Sequence, residues 1–232
     1  AEGMLPHSEQ VAFAQGQWAA AGGDPGAILS VEKVFDVGRQ RAFDQLCGRY
    51  DKEYGLDGHS VVAAWHGAST TSVTDITLNG FGVVTDPNLK TDAGFIGLAV
   101  YTSRSVEQAA RYSGTLEERR TAGQLGGGCT LLACQVALGR PFLVRGGGLS
   151  GQAAPVPGYT THVSDAAGTH IASYNPSSVL PTFIVTLRGP AREQIWQAAL
   201  PGAEMVGLSS DPALPNVGPV PAAAARSECK QS

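Results

Sequence analysis

The sequence predicts an α+β fold in which helices come early and mostly antiparallel sheets follow. Three observations carry that reading. Two segments with helical apolar spacing open the chain. Short apolar runs bounded by Gly, Pro, Asn and Asp dominate what comes after them. The glycine-rich stretches do not sit between a strand and a helix as GxGxxG or GxxxxGK[ST], which leaves an alternating βαβ fold and a phosphate-cradling loop unsupported.

In SEQVAFAQGQWAAA (8–21), Val11, Ala14 and Trp18 fall on one helical side, with Ser8 as the expected N-cap and Gly22-Gly23-Asp24-Pro25 as the stop. ILSVEKVF, from Ile28, alternates as a strand does. In VGRQRAFDQLCGRYDKEYG, Phe43, Leu46, Cys47 and Tyr50 line one helical face, and Gly55 closes the element. AAWHGASTTSVTDITLNGF (63–81) reads as a strand ending in Trp65-His66-Gly67, a polar turn, and a second apolar run closing on Asn79-Gly80-Phe81. A histidine at a strand end can face a cleft, and the glycine after it lets a ligand approach bare backbone. FIGLAVYTS is strand-like with Tyr101 near its end. SVEQAARYS is a short helix opening at Ser105, with Gln108 at the capping-box position. CTLLACQVALG reads as a long buried strand, and RGGGLSGQAAPVPGYTT as a loop. THIASYN and VLPTFIVTL are strands split by Pro176-Ser177-Ser178, and the chain turns Pro/Ala-rich from 201 onward.

The 232 residues, 43% hydrophobic and 16% charged, suffice for one large domain with appendages. A net charge of −4 supplies no global basic field for nucleic acid or anionic lipid. Cys47, Cys129, Cys134 and Cys229 form no CxxC pair and no zinc spacing, and Cys129 and Cys134 read as buried thiols. His162 falls in a loop-like stretch, and His162 and His170 lack further ligands for a metal. No apolar run approaches the ~18 residues of a membrane span. Ala1 in place of Met suggests a processed or excised part of something longer. In isolation, His66 reads as a turn histidine, Tyr101 and Tyr112 as half-buried core tyrosines, His170 as a satisfied strand histidine, and Glu117-Glu118-Arg119-Arg120 as a solvated face.

The ordered series is more specific than any member. His66-Gly67 after a strand, Tyr101 closing GLAVY 35 residues on, Tyr112 closing AARY 11 later, then LLACQVALG and SYNPSSVLPTFIVTL, resembles the poly(ADP-ribose) polymerase family of ADP-ribosyltransferases over roughly residues 29–188. The resemblance implies two apposed antiparallel β-sheets with flanking helices and NAD in the cleft between them. It implies a catalytic domain over 29–200, between an N-terminal helical extension (1–28) and a Pro/Ala-rich tail (201–232). His66 corresponds to the residue that hydrogen-bonds the adenosine ribose of NAD. Gly67 corresponds to the backbone that holds the nicotinamide carboxamide, Tyr101 to the tyrosine against the nicotinamide ribose, and Tyr112 to the one stacked on the nicotinamide ring. The chain departs from the pattern where His170 stands in place of the family's glutamate, Ala99 in place of the second glycine, and Ala109 in place of a serine. Loss of the glutamate points away from chain elongation. The expected activity is mono-ADP-ribosyl transfer from NAD, without a metal, to a macromolecular acceptor, a protein rather than a nucleic acid. His66, Tyr101 and His170 are the expected catalytic residues, the site of action cytosolic, and the role that of a toxin or effector domain. The rival reading is an inactive domain that binds NAD or a protein partner.

Overall fold

The structure is a computed structural model, and it describes residues 7–21, 23–55, 61–82, 96–114, 129–145 and 149–187. Residues 1–200 form one unit. The Pro/Ala-rich tail and the Glu117–Arg120 run lie outside the described residues.

Helix α1 (His7–Ala20) buries Ala14 and Trp18, the side its spacing predicts. Ser8 lies inside this helix rather than capping it. A 3-10 turn (Pro25–Ala27) capped by Asp24 leads into β1 (Ile28–Lys33). Helix α2 (Val37–Tyr54) starts on Asp36, whose side chain accepts from Arg39 N, and stops at Gly55 in the left-handed region (φ 64°). Phe43, Leu46 and Tyr50 are buried against Ala137 and Leu180.

Strand β2 (Val61–Gly67) is followed by a helix where the sequence suggests a polar turn: α3 (Thr70–Asn79). Its β-branched content (three Thr in the first turn and a half, with Val73 and Ile76) lowers intrinsic helix propensity. Two tertiary facts outweigh that. Ser69 caps the helix by accepting from Ser72 N at 3.1 Å, and Val73 and Ile76 pack into the inter-sheet core. Strand β3 is only Val100–Thr102, shorter than FIGLAVYTS suggests, because Ile96–Ala99 form a buried turn instead. Helix α4 (Val106–Ala110) follows, capped by Ser105. Then come β4 (Cys129–Ala137), β5 (Pro141–Leu143), β6 (Thr161–Val163), β7 (Ile171–Ser173) and β8 (Val179–Leu187). Neither β5 nor β6 is legible as a strand in the sequence. Each is three residues long, and the neighbours that define it, β6 for β5 and both β5 and β7 for β6, leave no periodicity in its own sequence.

The strands form two four-stranded sheets, ordered β1-β8-β4-β2 and β3-β7-β6-β5. All pairings are antiparallel except β5 with β6, in keeping with the mostly antiparallel sheets expected. The sheets pack face to face through Ala64, Leu132, Cys134 and Val136 on one side and Val100 and Ile171 on the other. The far face of the first sheet carries α1 and α4, with Trp18 edge-on to Trp65 at 5.1 Å. The far face of the second carries Ile96, Ala99, Val144 and Ala172. The sheets also meet at their edges. Trp65 and Ser103 form an isolated bridge, Trp65 N to Ser103 O at 2.7 Å and Ser103 N to Trp65 O at 2.8 Å.

Candidate active site

That bridge positions the site. Backbone groups alternate sides along a strand. Trp65 sends its N–H and C=O to the outer edge of β2, toward Ser103. Two residues on, Gly67 therefore turns its own N–H and C=O to the same edge. A continued ladder would pair Gly67 with Tyr101. His66 prevents it: its Nδ1 donates to the Tyr101 carbonyl at 2.6 Å. The side chain lies on the acceptor the next rung would use, no bridge forms between Gly67 and Tyr101, and Gly67 faces that unbridged gap. The carbonyl partner also sets the tautomer. With Nδ1 the donor, the neutral ring offers Nε2 as an acceptor, and Phe81 holds the imidazole edge-on at 5.0 Å.

Gly67 is a glycine for a packing reason as well. A Cβ there would lie 1.8 Å from the Ala109 carbonyl oxygen and 3.0 Å from Ser113 N. The end of α4 thus rests against the bare strand, and Gly114 N donating to Ala68 O at 3.0 Å pins the following turn. Tyr112 lies in that turn, half-buried, its N–H given to Ala109 O at 3.0 Å. The Ala109 side chain joins the apolar cluster of Trp65 and Leu131, so no hydroxyl reaches toward Gly67 from this position.

Tyr101 is more committed than the sequence suggests. Its hydroxyl donates to Gly97 O at 2.7 Å and accepts from Ile96 N at 3.0 Å, while its ring packs on the outer cluster of the second sheet. Gly97 (φ 122°) cannot be replaced there, because a Cβ would meet the Tyr174 hydroxyl at 1.8 Å. Ala99, in the second glycine position, is 2% exposed in the same cluster.

His170 stands just before β7, opposite Ser103 by continuation of the β3–β7 register. Its Nε2 meets the Gln108 side-chain nitrogen at 2.7 Å, and its Nδ1 lies 3.3 Å from Ser164 Oγ. Gln108 therefore forms only half of the expected capping box. Ser105 Oγ accepts from Gln108 N at 3.3 Å, but the Gln108 side chain goes to His170. Gln108, Ser164 and Phe81 are site neighbours that sequence reasoning did not single out as such.

His162 is a correction of another kind. It lies on β6, not in a loop, and is fully buried. Its Nε2 accepts from Val156 N at 3.0 Å, and its Nδ1 contacts Ile96 O and the Tyr174 hydroxyl, each at 2.8 Å. Burial pushes its pKa below the ordinary imidazole value, although the Ile96 carbonyl opposes this. Burial likewise raises the Tyr174 hydroxyl and the Cys134 thiol far above their usual ranges. These groups hold the fold. Among the described residues no group of three or more His, Cys, Asp or Glu is placed to hold a metal ion, and no helix is long and apolar enough to cross a membrane.

Two apposed sheets, with a glycine edge, a histidine and two tyrosines at their junction, define an ADP-ribosyltransferase-type scaffold. A family model of the poly(ADP-ribose) polymerase catalytic domain matches residues 19–146, more than half of the chain, and the protein belongs to that family of NAD-using ADP-ribosyltransferases. His66, Gly67, Tyr101 and Tyr112 fall within the match, and His170 falls beyond it. None of the curated proteins compared matches the chain.

Proposed function

We propose that the protein is an NAD-dependent mono-ADP-ribosyltransferase that moves one ADP-ribose unit to a macromolecular acceptor and releases nicotinamide. The observation that carries this is the interrupted ladder at Gly67, where His66 occupies the Tyr101 carbonyl and turns one N–H and one C=O toward the gap. A carboxamide offers the complementary C=O and NH₂, so the pair suits the nicotinamide end of NAD. His66 Nε2 suits a sugar hydroxyl, and the Tyr112 turn, pinned beside Gly67, brings an aromatic face to the ring. When the ribose–nicotinamide bond breaks, its electron pair goes to the ring nitrogen. Neutral nicotinamide then leaves and positive charge develops on the ribose. Orientation is therefore the main demand on the residues, and the backbone and aromatic groups supply it.

His170, in place of a glutamate, supports transfer of single units, because no carboxylate here would orient a second ribose. A protein acceptor is favoured by the net charge of −4. We assign catalysis to residues 29–200 with 1–28 as a helical extension, and a cytosolic site of action in the manner of a toxin or effector domain. An inactive module that binds NAD or a protein is the second reading. It is favoured by Ala109 facing the core and by Gln108 lying on His170 Nε2.

Incubation with labelled NAD and lysate, followed by nicotinamide assay and mass spectrometry, tests the proposal. Nicotinamide release with additions of one unit per site is expected. A ladder of units on one site refutes the single-unit assignment, and no release favours the binding module. Tyr112→Ala is expected to weaken NAD binding by about 1–3 kcal/mol, the worth of one stacked ring, with an unchanged melting temperature. Unaltered affinity by calorimetry in the folded variant would remove Tyr112 from the site.

A further inference from the structure

The β6–β7 hairpin holds a hydrogen-bonded chain that ends on His170. Ser164 Oγ lies 3.0 Å from Asp165 Oδ2, and a carboxylate only accepts, so the single hydroxyl proton goes to Asp165. The Ser164 oxygen is then an acceptor, and two N–H groups of one residue point at it: His170 N at 3.0 Å and His170 Nδ1 at 3.3 Å. Nδ1 therefore carries the proton. Nε2 is left with its lone pair, and the Gln108 amide donates to it at 2.7 Å. Each link in the chain has one consistent direction, from Gln108 through His170 and Ser164 to Asp165.

The hairpin is held firmly enough to keep this arrangement. Ser164 N donates to His170 O at 3.0 Å, Thr169 N donates to Asp165 Oδ1 at 3.1 Å, and Arg104 N donates to Gly168 O at 3.0 Å. Partial burial raises the Asp165 carboxyl, but hydrogen bonds from Thr169, Ser164 and Gly168 outweigh it, so the group sits below the usual carboxylate range and is charged at neutral pH. Gln108 precedes Ala109, whose carbonyl lies against Gly67, so Nε2 is directed at the segment of α4 that borders the site.

We propose that Ser164 and Asp165 are positioning residues that hold His170 in its Nδ1–H tautomer, presenting the Nε2 lone pair on the side of α4 and Gly67. A fixed neutral acceptor would then stand where the family has a carboxylate, ready for a ribose or acceptor hydroxyl once the Gln108 amide moves aside. The effect on turnover rests on the transferase reading, whereas the tautomer does not.

Long-range proton–nitrogen spectra of the full chain with ¹⁵N-labelled histidine test this, recorded at about pH 8, above the ordinary imidazole pKa. His170→Gln assigns the signal. The expected result is an Nδ1–H pattern in the wild type, its loss toward Nε2–H in Ser164→Ala, and its return in Ser164→Thr, which restores the hydroxyl. Asp165→Asn gives a second reading through a partial shift, independent of how Ser164→Ala folds. In nicotinamide release, Ser164→Ala is expected to lower kcat about tenfold at unchanged KM for NAD, with recovery in Ser164→Thr. An Nε2–H wild type, or an Nδ1–H pattern that survives Ser164→Ala, overturns the proposal. The expected tautomer changes in a protein that releases no nicotinamide uphold the positioning role and overturn the transferase reading instead.

Discussion

Replacing Gly67 with alanine is expected to abolish use of NAD and to destabilise the fold by about 1–3 kcal/mol, the usual cost of overfilling a packed interior. The added Cβ would lie 1.8 Å from the Ala109 carbonyl oxygen, 2.9 Å from its carbon and 3.0 Å from Ser113 N. All three are backbone atoms, so no rotamer change relieves the overlap. The end of α4 must withdraw, carrying Tyr112 with it and widening the gap that Gly67 borders. Gly48→Ala is the matched control. Gly48 lies in α2 with nothing within 4 Å of its Cβ position, so alanine there should stabilise by about 0.5–1 kcal/mol through helix propensity. Chemical denaturation and nicotinamide release on both variants check the pair. A Gly67→Ala protein of wild-type stability and activity would mean that α4 does not rest on the strand.

Removing His162 is expected to cost stability, and removing His66 to cost activity. His162→Ala strips the acceptor from Val156 N–H and the partner from Tyr174 in a site with no solvent exposure. A loss of about 1–3 kcal/mol follows for the orphaned groups. The wild type carries a pH signature of the same residue. Its folded pKa is lowered by burial, so the unfolded chain binds a proton that the native state refuses. Stability is then full above about pH 6.5 and falls as pH drops below it, by up to about 1.4 kcal/mol per pH unit, levelling once the native pKa is passed. Asp36 and Asp165, whose native pKa values are lowered, act in the same direction but only below about pH 4. The two windows separate. His162→Gln should be less stable at pH 7 and flatter between pH 7 and 5. Melting curves across that range decide it, and an unchanged slope would transfer the effect to another histidine. His66→Ala, by contrast, removes a half-exposed ring and the donor to Tyr101 O, so it should retain most of its stability while losing nicotinamide release per folded molecule.

Local chemistry made much of the fold legible. The faces of α1 and α2 follow from Trp18 and from Phe43, Leu46 and Tyr50, because a helix that must bury one side repeats apolar residues at its own period. The caps at Ser105 and Gly55 follow from side-chain oxygen and from φ > 0. Strands β4 and β8 follow from nine-residue apolar runs. Helix α3 was hidden because its Thr, Val and Ile residues speak for extended structure when packing and cap are not visible. His162 was misplaced because a three-residue central strand is defined by its neighbours rather than by its own pattern.

The same division runs through the site. The order and spacing of His66, Gly67, Tyr101 and Tyr112 belong to the sequence by itself, since covalent distance along strands and short helices limits where such residues can go. Tertiary structure alone decided what each one does. Only the meeting of β2 with β3 at Trp65 and Ser103 makes His66 the donor to Tyr101 O and turns Gly67 to an open edge. Only the approach of α4 requires Gly67 to be glycine, and only the closure of the β6–β7 hairpin aligns Asp165, Ser164 and Gln108 on His170. Hydrogen bonds between residues 35 or 62 positions apart leave no periodic trace in a sequence, because their geometry exists only after the chain has packed.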